Sequence, residues 1–208
     1  MSNIGKIIVA IIVIIILVWI GYYLATQPAS PTDEPAGTSE PIKIGFTGPL
    51  TGEMANIGIN AKAAVEIAVE EVNVAGGVDG RDLKVIFEDD QCTGPKAASA
   101  VSKLTSVDQV TAIIGSVCSP ATLAAAPIAE AAQTVLLTFS STAPNITNAG
   151  DFIFRNVPSD LFQGDFAANY LYGQLSKKKA AIIYVNNDWG KGLDKAFGDK
   201  FKALGGQV

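Results

Sequence analysis

Apolar and polar positions alternate between two periods along most of the chain, and the alternation predicts a series of strands and helices. Ile42-Lys43-Ile44-Gly45-Phe46 reads as a short strand that leaves through Gly48-Pro49-Leu50-Thr51-Gly52. From about Gly58 to Val74 the period lengthens, and Ala61, Ala64, Val65, Ala68 and Val72 recur at helical spacing as an expected buried face. Gly76-Gly77 ends that helix and Asp79-Gly80 makes a turn. Leu83 to Asp89 is the second strand, Thr93 can cap a helix to about Ser106, and Thr111 to Ile114 is the third strand. An Ala-rich helix over Pro120 to Ala132 precedes a fourth strand, Val135 to Phe139, and Phe152 to Arg155 is a further extended segment. Ser159 caps a helix to about Leu175, Ala180 to Val185 is a buried-strand run, and Lys191 to Leu204 is a helix closed by Gly205-Gly206. Such alternation predicts an α/β protein with parallel sheets covered by helices on both faces.

The array that begins near Ser159 holds one strand, one helix and the first residue of another strand by Val208. One strand cannot make a sheet. Residues 158–208 are therefore expected to start a second, truncated lobe, after a first lobe over 42–157. Ahead of both, Ile7 to Ile20 is unbroken apolar sequence, continued by Gly21-Tyr22-Tyr23-Leu24-Ala25. As a helix, residues 7–25 span roughly 28 Å, enough for a bilayer core. Lys6 precedes the run while Asp33, Glu34 and Glu40 follow it, so the positive-inside rule puts residues 1–6 in the cytoplasm and the rest outside. A cleaved signal peptide is the competing reading. The run is long for that, and Tyr23 stands where a small residue is wanted before a cut after Ala25. Export is expected either way. Residues 26–41, rich in Pro, Ser, Thr and acidic side chains, have too little to bury and read as a tether.

Composition narrows the function classes. The net charge is −5 and His is absent. The one cationic cluster, Lys177-Lys178-Lys179, lies at a predicted helix end where cations suit the dipole, so nucleic acid is not an expected partner. A Ser-His pair is impossible, and no G-x-S-x-G elbow, P-loop or ordered G-x-G-x-x-G occurs, which argues against an exported hydrolase or other α/β enzyme. Glu88-Asp89-Asp90 invites a metal or phospho-acceptor reading, but the rest of an acidic cluster is not evident, and a solvated strand end is expected. Cys92 and Cys118 both fall in loops after predicted strands, at one edge of a sheet. In an oxidising compartment a disulfide is the favoured reading. A metal site lacks other soft ligands, and a Cys nucleophile lacks its usual base.

The most informative chemistry lies where two consecutive strands leave the sheet. The third exits into Gly115-Ser116-Val117-Cys118-Ser119-Pro120, with Ser119 a good N-cap and Pro120 suited to the first helical position. A helix N-terminus beyond a strand's carboxyl end offers free N–H groups to a small anion such as a carboxylate. The fourth strand exits into Ser140-Ser141-Thr142-Ala143-Pro144. In parallel α/β sheets such exits line the ligand crevice, and this pair suits a small zwitterion.

Five stretches in consistent order over Ile42 to Val208 resemble the type I periplasmic binding proteins of the branched-chain amino-acid (Leu/Ile/Val) group. They are residues 42–52, Asn73-Val74-Ala75-Gly76-Gly77-Val78-Asp79-Gly80-Arg81, Glu88-Asp89-Asp90, Ile114-Gly115-Ser116-Val117-Cys118-Ser119, and Asp188-Trp189-Gly190-Lys191-Gly192. The resemblance implies two α/β lobes that close on a ligand and deliver it to the permease of an ABC importer, with no catalysis, cofactor or metal. It implies that Ser119 and its helix N-terminus hold an α-carboxylate, and that Thr142 with the backbone carbonyl near Ser140 takes the α-ammonium, Ser141 lying between them. Ile57 would line the side-chain pocket from the first lobe and Trp189 would face it from the second. The family's disulfide matches Cys92 and Cys118. Several members carry an aromatic residue where Ile57 stands, and the family's later second-lobe residues have no counterpart here. A sensing ectodomain of a membrane receptor would use the same fold, and an amide or urea could replace the amino acid.

Overall fold

The computed structural model describes Trp19 and residues 40–208. Apart from Trp19, the expected membrane span over 7–25 lies outside the described residues, as does the tether as far as residue 39. Among the described residues no helix is long and apolar enough to cross a membrane.

Five strands form one parallel sheet: β1 (Ile42–Gly48), β2 (Leu83–Asp89), β3 (Ala112–Ile114), β4 (Val135–Thr138) and β5 (Ile153–Arg155). They lie in the order β2-β1-β3-β4-β5. In register, Ile44 faces Val85 on one side and Ala112 on the other, and Ile113 faces Leu136. The chain steps one way from β1 to β2 and back the other way to β3. Right-handed crossovers then put α1 (Ala55–Val74) on one face and α2 (Gly94–Ser106) and α3 (Ser119–Ala131) on the opposite one.

The core sits under α2 and α3. Ala97, Val101 and Leu104 from α2 and Ala121, Ala125 and Ala129 from α3 meet Ile113 and Leu136, all eight fully inaccessible to solvent. The small side chains of α3 let its backbone come close to the strands. By contrast α1 packs chiefly on β2. Of its expected buried face, Ala61, Val65 and Val72 are only half-buried, Ala64 and Ala68 are exposed, and only Gly58 is buried. A helical period shows where apolar side chains recur, and no second layer covers this helix among the described residues. Gly58 has its own reason: a Cβ there would lie 1.9 Å from the Pro49 carbonyl oxygen, so only glycine lets the β1 exit loop lie against the first turn.

After β5 come α4 (Asp160–Asn169), a π-helical turn (Tyr170–Gln174) and α5 (Asp188–Ala203), with α4 and α5 packing on each other. The strand expected over Ala180 to Val185 is not formed. Only Lys179 makes a bridge, to Gln207, and the run beyond it has no ladder. Ile183 is fully exposed and Val185 is 57% exposed. The run has strand composition without a neighbouring strand to exchange hydrogen bonds with.

Cys92 and Cys118 are joined, with Cα atoms 5.3 Å apart. The bridge ties the β2 exit to the residue that precedes α3.

Candidate functional site

The carboxyl ends of β1, β2, β3 and β4 meet in a buried polar frame. Asp90, at the β2 exit, is fully buried. Its Oδ2 accepts from Thr47 Oγ1 of β1 at 3.0 Å and from Ser116 Oγ of the β3 exit, and its Oδ1 accepts from the Cys92 backbone N–H at 2.8 Å. The Ser116 carbonyl in turn accepts from Thr138 Oγ1 at 2.7 Å and Ser141 Oγ at 3.2 Å. Ser141 Oγ and Thr122 Oγ1 lie 2.7 Å apart, which joins the β4 exit to α3. Burial pushes the Asp90 carboxyl above the usual carboxylate range, against the lowering effect of the bonds from Ser116, Cys92 and Thr47.

The acidic triplet is thereby corrected: it is not a solvated strand end. Its three side chains diverge. Glu88 pairs with Lys103 at 2.6 Å, Asp89 turns to the β1 exit and Asp90 faces inward. Asp89 accepts from the Leu50 N–H at 2.8 Å and the Thr51 N–H at 3.3 Å, which fixes the β1 exit loop. Burial pushes the Asp89 carboxyl up, but the bonds from Thr51, Leu50 and Gln91 outweigh it and hold this group below its usual range.

Ser119 does not cap its helix. Cys118 takes the cap position without a side-chain bond, and Ser119 is the first helical residue. Its hydroxyl is 3% exposed and accepts from the Ala143 backbone N–H at 3.2 Å, so it ties α3 to the β4 exit. Thr93 likewise makes no cap bond, and its hydroxyl donates to the Asp90 carbonyl instead. Thr142 Oγ1 donates to Asp160 Oδ2 at 2.9 Å, and the Thr142 carbonyl accepts from the Asp160 N–H at 2.9 Å and from Arg155 Nη1 at 3.2 Å. Arg155 Nη1 also donates to the Ala143 carbonyl at 3.0 Å. Asp160 is 1% exposed, and burial pushes its carboxyl up while Thr142 and the nearby Arg155 charge pull it down.

Ser119 and Thr142 are thus linked through Ala143, whose N–H meets Ser119 Oγ and whose carbonyl shares Arg155 Nη1 with the Thr142 carbonyl, while Ser141 is held by Ser116 and Thr122. Ser141 is buried and its hydroxyl is an internal strut, whereas the adjacent Ser140 is exposed. Ile57 is 41% exposed in the first turns of α1. Trp189 is 39% exposed and lines a groove of about 420 Å³ with Ile183, Tyr184 and Phe197. No hydrogen bond or ring contact joins these two residues to the polar frame among the described residues. Asp160 and Arg155 have no role in the sequence reading, and Asp90 enters it only as part of a solvated strand end. Their signal is non-local, since each partner stands on a different strand exit. Asn187, whose side chain accepts from the Gly190 N–H at 2.9 Å and starts α5 three residues before the expected Lys191, had the local signal of an N-cap.

Residues 41–208 match the model of the family described as periplasmic binding protein. A leucine-, isoleucine-, valine-, threonine- and alanine-binding protein of Pseudomonas aeruginosa is 36% identical over 74% of this chain and 42% of its own length. The Leu/Ile/Val-binding protein of Escherichia coli is 33% identical over 79% of this chain and 45% of its own. This chain therefore spans under half the length of these curated relatives. Among solved structures, a leucine binding protein from Thermotoga maritima superposes with a TM-score of 0.73 at 34% identity, covering 80% of this chain and 47% of that one. A branched-chain amino acid transporter substrate binding protein from Streptococcus pneumoniae in complex with isoleucine gives 0.72 at 33%, covering 81% and 48%. The parallel sheet, its covering helices and this matched length lead to one conclusion: the chain belongs to the periplasmic binding protein family and has its type I α/β fold.

Proposed function

We propose that this protein is the extracytoplasmic substrate-binding component of an ABC importer and captures an amino acid, branched-chain or otherwise apolar, without catalysis. The observation that carries the reading is the pair of hydroxyls, Ser119 and Thr142, held on consecutive strand exits beside a helix N-terminus. Ser119 and the first N–H groups of α3 would take the α-carboxylate. Thr142, with the carbonyl of Ser140, would take the α-ammonium, Ser141 bracing the loop between them. Ile57 would border the side-chain pocket. Relatives that bind leucine, isoleucine and valine support this class of ligand.

In this reading residues 158–208 begin a second lobe whose further strands would pair with Ala180 to Val185, and closure would bring Trp189 toward the ligand. The exposed apolar run supports that assignment. Ligand would shift an open–closed equilibrium only by its differential affinity for the closed form, which then docks on the permease. The apolar run over Ile7 to Ala25 would anchor the protein with its binding domain outside the cytoplasm.

Calorimetry and thermal shift on the full-length gene product lacking residues 1–41, against leucine, isoleucine, valine, other amino acids and short amides, test the reading. One-to-one saturable binding of one class is expected. Ser119→Ala should weaken it by about 1–3 kcal/mol if the hydroxyl meets a carboxylate away from water. Unchanged affinity removes Ser119 from the site.

A further inference from the structure

The stretch Asp188-Trp189-Gly190-Lys191-Gly192 carries a second glycine that its helix does not need. Gly192 lies within α5, where alanine would suit the backbone better, since glycine is the poorest helix former after proline. Gly190 has a local reason: a Cβ there would lie 2.0 Å from the Val185 carbonyl oxygen. Gly192 has a distant one. A Cβ on it would lie 2.7 Å from Pro144 Cδ and 3.5 Å from Pro144 Cγ, the first well inside the roughly 3.5–4.0 Å at which carbon atoms rest. Pro144 belongs to the loop after β4 that carries Thr142, whereas Gly192 stands on the segment after β5, on the same helix as Trp189. We infer that Gly192 is a positioning residue: by lacking a side chain it lets the first turns of α5 seat on Pro144, and this seat carries Trp189 to the ligand. The inference rests on the amino-acid reading above and adds to it the contact that decides how far the two lobes close.

Neither partner can step aside. Pro144 opens a 3₁₀ turn, Pro144–Asn148, that is pinned on both sides. Before it, the Ala143 N–H donates to Ser119 Oγ at 3.2 Å and the Ala143 carbonyl accepts from Arg155 Nη1 at 3.0 Å. Within it, Ile146 is 1% exposed in the core and Thr147 Oγ1 accepts from Arg155 Nη2 at 2.8 Å. Pro144 Cδ and Cγ are ring atoms, so no rotamer takes them away. On the other side, Asn187 caps α5 through the Gly190 N–H, and a Cβ on Gly164 of α4 would lie 2.6 Å from Ala196 Cβ, so α4 and α5 are packed too closely to part. An added carbon on Gly192 is therefore accommodated by swinging both helices away from the β4 exit, with Trp189 on them. Among the described residues no hydrogen bond joins α5 to the sheet region, so the swing breaks none there. The consequence is a protein that folds normally and closes less.

The test is Gly192→Ala in the full-length gene product, by calorimetry and stopped-flow binding with the apolar L-amino acids and by urea melts of the free protein. Binding should weaken about tenfold, the loss expected when the closed form falls to about a tenth of its population, with the change in the dissociation rate rather than the association rate. The free protein should melt at the same urea concentration or a higher one, because alanine favours the helix. Gly198→Ala is the control on the same helix: a Cβ there meets only Ile182 Cδ1, at 4.0 Å, and affinity should not change. Pro144→Ala removes the ring atoms that the new Cβ would meet, so adding it to Gly192→Ala should recover most of the affinity. That recovery separates a lost seat from a damaged helix. Unchanged affinity in Gly192→Ala, or a loss that Pro144→Ala does not recover, overturns the inference while leaving amino-acid binding intact. If the unaltered protein binds none of these amino acids, it is the amino-acid reading that fails, and the inference falls with it.

Discussion

The sheet region and the segment that follows it are built from the same kinds of residue and have different fates. Ile113 and Leu136 lie in short apolar runs and are fully buried, each opposite the other on paired strands. Ala180 to Val185 is as apolar, yet Ile183 is wholly exposed and the run has no ladder. The polar groups divide the same way. Around the β1 to β4 exits they are buried and mutually satisfied, whereas beyond α4 the ion pairs, such as Lys195 with Asp199, stand in solvent. An apolar run becomes a strand only where neighbours take its N–H and C=O groups and cover its faces.

The comparison breaks or holds first on core truncations. Leu136→Ala should cost about 3–4 kcal/mol in a urea melt, while Ile183→Ala in the 208-residue chain should cost under about 0.5 kcal/mol. Similar losses at both would show that the run is packed in solution. Replacing both Cys92 and Cys118 with Ser should remove about 3.5 kcal/mol, the chain-entropy value for a separation of 26 residues. A loss confined to the sheet's melting transition would place the effect where the bridge is.

Asp90→Asn comes next, at about 1–3 kcal/mol. It removes a buried charge but is still destabilising, because three donors point at Asp90 and an amide offers only one acceptor oxygen. An equally stable variant would mean that the frame is not the tie it looks to be.

The smallest effect is one of sign. Burial holds the Asp90 carboxyl above its usual range, so its favourable protonation is complete below the unfolded value and is lost as pH rises through the folded one. Asp199 is the reverse: the Lys195 hydrogen bond and charge hold it down, so its contribution is present above the unfolded value and lost as pH falls through the lowered one. Urea melts of Asp90→Asn and Asp199→Asn against the unaltered chain across the carboxylate range should differ with opposite slopes, the Asp199 slope being slight because that pair is exposed. Slopes of the same sign would remove the distinction between the two regions.

Much of the sheet region was legible because its signals are local. The strands expected over Ile42 to Phe46, Leu83 to Asp89 and Val135 to Phe139 (the last ending one residue earlier, at Thr138), the Ser159 cap, which accepts from the Leu161 N–H, and the Cys92–Cys118 pairing all follow from neighbours in sequence or from two residues at one sheet edge. The site was legible as a place, the exits of β3 and β4, more than as a set of roles. Ser119 reads as a cap, and the fold instead seats it one position later, against Ala143. Nothing in Val157-Pro158-Ser159-Asp160 distinguishes a buried carboxylate from a helix-start acid, because its partner Thr142 lies across a separate strand.

By itself, then, the sequence determined the alternation of strand and helix, the parallel sheet and the loops that carry the polar chemistry, since spacing and composition act over a few residues. Tertiary structure alone decided which apolar runs found partners, which carboxylates turned inward, and which hydrogen bonds the hydroxyls of Ser119 and Thr142 make. Those depend on groups brought together from different strands, where desolvation makes each hydrogen bond obligatory and so sets its direction.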